Sequence, residues 1–155
     1  METITHGNWR ARANARTFMR SGLAARPAFQ METVMDDKRT LGLAKFRELS
    51  PMGAEQIRVL LEDTAPGTYT HVLEVAFGDL YQRKNLDPKI RQTVSLVALA
   101  AGGHGDLLRI HIDIARRLGF TKEELSEVFQ QMAPFTGFPG PMLGIRVLKE
   151  AFSEG

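Results

Sequence analysis

The sequence predicts an all-α fold. Three observations carry that prediction. Apolar residues recur at helical spacing from about residue 51 to residue 152, helix-start and helix-stop signals punctuate those segments, and no stretch of useful length alternates apolar with polar residues as a half-buried strand would.

Taken in order, the first segment is basic. Arg10, Arg12, Arg16, Arg20 and Arg26 stand against a single acid, Glu2. Asn8 to Met19 is predicted as a short helix clustering Trp9, Ala13 and Phe18. The charge run is short and poor in aromatics, so it reads as an arm on a neighbouring subunit rather than a nucleic-acid arm. Gln30 to Ser50 is mixed, with a helix expected over Leu41 to Leu49. Pro51 breaks the chain, and Met52 to Glu62 is helical through Ile57, Leu60 and Leu61. Pro66-Gly67 reads as a turn. Thr70 to Tyr81 carries a wide apolar face of Val72, Leu73, Val75, Ala76, Phe77 and Leu80.

Asp87-Pro88 is a helix start, with the aspartate as N-cap and the proline at the first helical position. That helix runs to Ala101 and is apolar on nearly all sides from Val94 onward, so it is predicted as the central buried helix. Gly102-Gly103 ends it. The next helix, residues 104–118, ends at Gly119 as C-cap. Thr121-Lys122-Glu123-Glu124 is a capping box. It opens a helix to about Ala133 with Leu125, Val128, Phe129 and Met132 inward. Pro134 to Pro141 is a connection. The last helix begins at Pro141 or Met142 and buries Leu143, Val147, Leu148 and Ala151.

The helix over 104–118 is the centre of the chain. Positions 104, 108, 111, 115 and 118 share one stripe, which holds His104, Leu108, His111, Ala115 and Leu118. The two imidazoles lie about 10 Å apart along the axis, so they can line one pocket but cannot bond each other. Apolar residues run almost all the way round, leaving Arg109, Asp113 and Arg116 as the polar edge. One chain of this size is expected to cover only part of that surface, which places the helix at a subunit interface.

Composition bounds the function. The chain has 155 residues, 43% hydrophobic and 25% charged, which suits one domain with a real core. A net charge of +2 does not suggest a nucleic-acid partner. With no cysteine there is no disulfide, thiolate metal site or cysteine redox chemistry. No apolar run reaches a membrane span, and no apolar segment follows the N-terminal arginines as in a signal peptide, so a cytoplasmic protein is expected. His104 and His111 are two turns apart rather than the one turn that lets two imidazoles share an ion, and no third ligand is evident, so no metal is expected. Gly102-Gly103-His104-Gly105 lacks the ending of a phosphate loop.

Phe77-Gly78-Asp79-Leu80-Tyr81, Leu86-Asp87, Arg91, Leu107-Leu108-Arg109-Ile110-His111, Gly119, Glu123-Glu124, Glu127, Gln130 and Gly137-Phe138-Pro139 follow one another in an order that resembles the carboxymuconolactone decarboxylase family. The resemblance runs from about Ala54 to Phe152. It implies an all-α helical bundle of the carboxymuconolactone decarboxylase or alkylhydroperoxidase-D-like type, assembled as a trimer or hexamer. It also implies a division into a divergent arm and helices over 1–50 and the family-like helical domain over 51–155. The related peroxidase branch uses a Cys-x-x-Cys-x3-His site with an acidic proton relay. Here those positions hold His104, Leu107 and His111, with Gln92 at the relay position, so only the last histidine is kept.

The decarboxylase branch converts 4-carboxymuconolactone to an enol-lactone without cofactor. Such chemistry needs a grip on the carboxylate and a group that handles the charge left on carbon. The resemblance and residue chemistry together nominate His111 as acid/base, His104 second, and Glu74 as a further proton carrier on the same face as His71 and Tyr81. Arg91 and Arg109 are the candidate carboxylate holders, by their bidentate fork. Phe77, Tyr81, Phe135 and Phe138 are the candidate pocket walls. Phe135 stands where the family often has tyrosine, so a hydroxyl is missing there. The expected protein is therefore a cofactor-independent lyase acting on a small carboxylate or lactone, as a homo-oligomer. The alternatives are a related isomerase or cyclase, or a non-catalytic helical assembly that binds a small apolar acid. Each nominated residue also has a bland role: His111 as a core histidine, His104 as a helix cap, Arg109 as an ion pair with Asp113.

Overall fold

The structure, a computed structural model, describes residues 28–153, with side chains from residue 37 onward. The basic segment and the helix expected over Asn8 to Met19 lie outside the described residues. Every regular element among the described residues is helical: α1 (Ala28–Leu49), α2 (Pro51–Leu61), α3 (Pro66–His71) continuing as a π-helical stretch (Val72–Phe77), a 3-10 turn (Leu80–Gln82), α4 (Pro88–Ala101), α5 (Gly105–Arg117), α6 (Lys122–Gln131), α7 (Ala133–Thr136) and α8 (Pro139–Ser153). No helix of the described residues is long and apolar enough to cross a membrane.

The punctuation read from the sequence acts as expected at most joints. The Asp87 carboxylate accepts from the Lys89 amide at 2.8 Å, capping α4 behind Pro88. Thr121 and Glu124 form the reciprocal capping box of α6. At the end of α5, Gly119 takes φ +80° and the Phe120 amide reaches back to the Ala115 carbonyl at 3.0 Å, a bond spanning six residues that closes the helix. Gly103 does the same for α4, at φ +76° with His104 N–H donating to Leu99 O at 2.9 Å.

Helix α5 is the spine, and it divides two apolar clusters. Leu108, Ile112 and Ala115 face Leu96 and Ala100 of α4, Leu125 and Phe129 of α6, and Val147, Leu148 and Ala151 of α8. Ile110 and Ile114 face Phe46 and Leu49 of α1, Ala54 and Ile57 of α2, and Tyr69, Leu73 and Phe77 of the α3–π segment. This corrects two expectations. The central buried helix is α5, not α4, whose Ile90 and Val94 are 55% and 60% exposed. Nor does α5 need a second subunit to cover it. Leu108, Ile112, Ile114 and Ala115 are 0% exposed within one chain, because α4, α6 and α8 cover one side and the cluster of α1, α2 and the α3–π segment covers the other.

The remaining departures are local. Pro66 opens α3 instead of making a turn, occupying a first-turn position where its missing N–H is not needed. The helix expected over Thr70 to Tyr81 turns π-helical at Val72 and stops at Phe77, where the Gly78 amide bonds the Leu73 carbonyl at 2.7 Å. The π stretch packs tightly on the neighbouring helix α1. A Cβ on Gly42 would stand 2.0 Å from the Leu73 carbonyl oxygen, and one on Gly78 would stand 2.3 Å from the Lys38 carbonyl oxygen. Two glycines thus let α1 and the π stretch meet backbone to backbone, and above them Phe46 and Phe77 stack with centroids 3.9 Å apart.

Candidate functional site

Three elements meet beside the spine. Helix α4 carries Gln92 on the stripe of Leu96 and Ala100 and buries it completely. From α5, His111 faces it, partly buried. The 3-10 turn after the π stretch brings Tyr81. The Gln92 amide nitrogen donates to the His111 carbonyl oxygen at 2.7 Å and lies 3.0 Å from His111 Nδ1. The Gln92 amide oxygen accepts from the Tyr81 hydroxyl at 3.1 Å. The Tyr81 ring stacks on Phe77 at 5.0 Å and has the Arg91 guanidinium 5.8 Å from its centroid. Arg91 is anchored at its other edge, donating to the Arg83 carbonyl at 2.9 Å.

Burial governs the electrostatics here. It pushes the His111 imidazole down from 6.5 to about 4, so the ring is neutral at physiological pH. It pushes the Tyr81 phenol above its usual range, against the opposing influence of the Ser95 hydroxyl and the Arg91 guanidinium. A neutral imidazole, a protonated phenol and a fixed cation in one place suit the binding and polarisation of an anionic substrate. They do not suit an imidazolium acid.

The nominated residues do not all gather here. Arg91 and Tyr81 do. His104 does not: it is exposed, its backbone forms the joint between α4 and α5, and its ring lies over Gly102 without a capping hydrogen bond. Arg109 lines a different cavity of about 360 Å³ with Ser50, Gln56, Asp113 and Arg116. Phe77 is core, 3% exposed. Phe135 is 81% exposed and borders an apolar cavity of about 510 Å³ with Val97, Phe120, Val128 and Met132, while Phe138 is 73% exposed. None of these cavities is lined by His104 or His111. Of the residues expected on one face, Glu74 lies in the π stretch, half-buried, and Tyr81 bonds Gln92. His71 is exposed, with its Nδ1 3.2 Å from the Gly67 carbonyl.

By family position Gln92 marks only a missing acid. A signal for it existed: a lone polar residue in register with Leu96 and Ala100, on a stripe otherwise destined for the core. The other buried polar residue among the described ones, Ser50, serves structure. Its hydroxyl caps α2 through the Gly53 amide at 3.1 Å and donates to Asp113 at 2.8 Å. No group of three or more His, Asp or Glu side chains among the described residues is placed to hold a metal ion.

The class that the structure defines is an all-α bundle with a partly buried histidine held from a neighbouring helix by Gln92. Residues 66–150, from α3 into α8, match the carboxymuconolactone decarboxylase family, and the chain belongs to that family. It is similar to 4-carboxymuconolactone decarboxylase of Acinetobacter baylyi, at 29% identity over 79 residues covering 51% of this chain and 59% of that protein. It is also similar to an uncharacterized 15.0 kDa protein of Paracoccus denitrificans, at 28% identity over 96 residues covering 61% of this chain and 72% of that protein. The match to the decarboxylase therefore spans less than two thirds of that enzyme's length.

Proposed function

We propose that the protein is a cofactor-independent lyase that decarboxylates a carboxylated lactone, with 4-carboxymuconolactone as the first substrate to try. The observation that carries this reading is His111, neutral and fixed by buried Gln92, which also bonds Tyr81 under the Arg91 guanidinium, inside the span that matches the family. Arg91 receives the substrate carboxylate. The bond between the ring carbon and the carboxylate carbon breaks, CO2 leaves, and the electron pair passes into the lactone as an enolate. The enolate is held by hydrogen bonding until its carbon takes a proton. In this reading His111 serves the enolate.

We also propose a homo-oligomer. What supports it is apolar surface away from the spine: Ile90, Val94, Leu107 and Met142 are each more than 40% exposed. A non-catalytic binder of a small apolar acid is the second reading, favoured by the apolar cavity beside Phe135. Assay of wild type and His111→Gln on 4-carboxymuconolactone and related lactone acids separates the two. The lyase reading expects turnover that falls about 100-fold or more in the variant, the usual scale for a group that stabilises the transition state. Binding without turnover across the panel, or a variant within a few-fold of wild type, overturns it.

A further inference from the structure

We propose that Gln92 is a positioning residue that locks His111 in the tautomer protonated at Nε2, so that the ring offers its outer nitrogen as a hydrogen-bond donor and not as a base. The amide of Gln92 is read from both ends. Its nitrogen sits 2.7 Å from the His111 carbonyl oxygen, which can only accept. Its oxygen sits 3.1 Å from the Tyr81 hydroxyl, which donates to it. Turning the amide over would set two oxygens against each other at the first contact, so the orientation is fixed.

One amide hydrogen goes to the carbonyl. The other meets His111 Nδ1 at 3.0 Å, and Nδ1 accepts it only through a bare lone pair. The one proton of the neutral ring is then on Nε2. Adding a second proton would put it on Nδ1, facing the amide N–H, and the low affinity that burial gives this ring for a second proton points the same way. The ionisable neighbours in the network do not reverse this. Tyr81 is a donor bonded to the far end of the amide, and Arg91, at the Tyr81 ring, carries a charge of the sign that opposes imidazolium.

This inference rests on the reading of His111 as the reactive group and specifies its role. Nε2–H donates to the enolate oxygen as CO2 leaves and keeps its proton throughout. The carbon is protonated by water, so the balance is carboxylate plus water giving the decarboxylated lactone and bicarbonate. A neutral imidazole that gave up Nε2–H would become imidazolate, a base far too strong to form at neutral pH.

The test needs no substrate. Long-range proton–nitrogen NMR of uniformly labelled protein at pH 7 identifies which nitrogen of each histidine is protonated, and His111 is assigned by its loss in His111→Gln. The expected spectrum has His111 as a single Nε2–H form. In Gln92→Glu the carboxylate accepts instead of donating, so His111 should switch to Nδ1–H and titrate at a higher pH. A wild-type His111 that is protonated at Nδ1, or that averages between tautomers, overturns the proposal, as does a Gln92→Glu variant that keeps Nε2–H. Should that variant not fold, the wild-type spectrum decides alone. Absence of turnover would sink the lyase reading and leave this result standing.

Discussion

The two sides of α5 are built differently. Toward α4, α6 and α8 the packing is that of regular helices with ordinary caps. Leu96, Leu108, Ile112, Leu125 and Phe129 are fully buried, and the tightest point is Gly144, where a Cβ would stand 2.4 Å from the Phe129 ring. Toward α1, α2 and the π stretch the contact is backbone on backbone at Gly42 and Gly78, with a stack of aromatic rings above it. The first side depends on side-chain volume, and the second on a distorted helix that glycine alone permits. The candidate site lies where the two sides meet. Gln92 comes from the regular side, Tyr81 from the irregular one, and His111 from the spine between them. The irregular stretch is what ends the preceding helix early enough to deliver Tyr81 to Gln92.

Substitutions that add one methyl group to each side break this contrast most forcefully. Gly42→Ala drives its Cβ into the Leu73 carbonyl, a backbone atom that cannot rotate away, and is expected to cost more than about 3 kcal/mol or to prevent folding. Gly144→Ala meets a ring that can shift, and is expected to cost about 1–3 kcal/mol. Urea denaturation of the two variants checks the order, and equal losses would remove the distinction between the sides. Ile112→Glu tests the spine itself, since it leaves an unpaired charge at a fully buried position and should lose several kcal/mol whatever the oligomeric state.

A smaller effect is expected from acid. The folded-state pKa of His111, about 4, lies below the 6.5 of an unfolded histidine. Between those values the unfolded chain binds more protons, so stability is full above pH 6.5 and falls as pH drops through the window. Given the partial exposure of the ring, the loss is on the order of 2 kcal/mol. His111→Gln should flatten that segment of the stability–pH curve, and a variant that keeps the same slope would place its source elsewhere. The smallest effect on folding belongs to Val94→Lys, at 60% exposure, which should shift stability by less than about 0.5 kcal/mol. If α4 forms the oligomer contact, light scattering should show the same variant dissociating. A variant that stays assembled would move the contact away from α4.

What the sequence made legible follows the same division. The regular side announced itself residue by residue through Asp87-Pro88, the glycines after α4 and α5, and the capping box at Thr121, because caps are local chemistry. The irregular side did not. The π stretch packs backbone to backbone on Gly42, about thirty residues earlier in the chain, and no window around Val72–Phe77 contains that contact. The cover over α5 was equally hidden, since Phe46 and Leu49 of α1 and Tyr69, Leu73 and Phe77 of the α3–π segment come from far along the chain to join Ile110 and Ile114. In the site, His111, Tyr81 and Arg91 were legible as residue types at family positions. Arg109 was misplaced for a reason the helix itself supplies: two residues turn the side chain about 200° away from His111. His104 sat on the right stripe but at a joint, where its backbone is used and its ring is left outside.

The pH dependence of kcat/KM on a confirmed lactone acid tests most directly whether a neutral, buried-amide-held His111 is the reactive group. With the ring ionising at about 4, activity from this group should be level from pH 8 down to about pH 5 and fall only as pH approaches 4, and that acid limb should vanish in His111→Gln. An acid limb centred near 6.5 that disappears in the same variant would show a solvated, ordinarily titrating histidine, and would contradict the site described here.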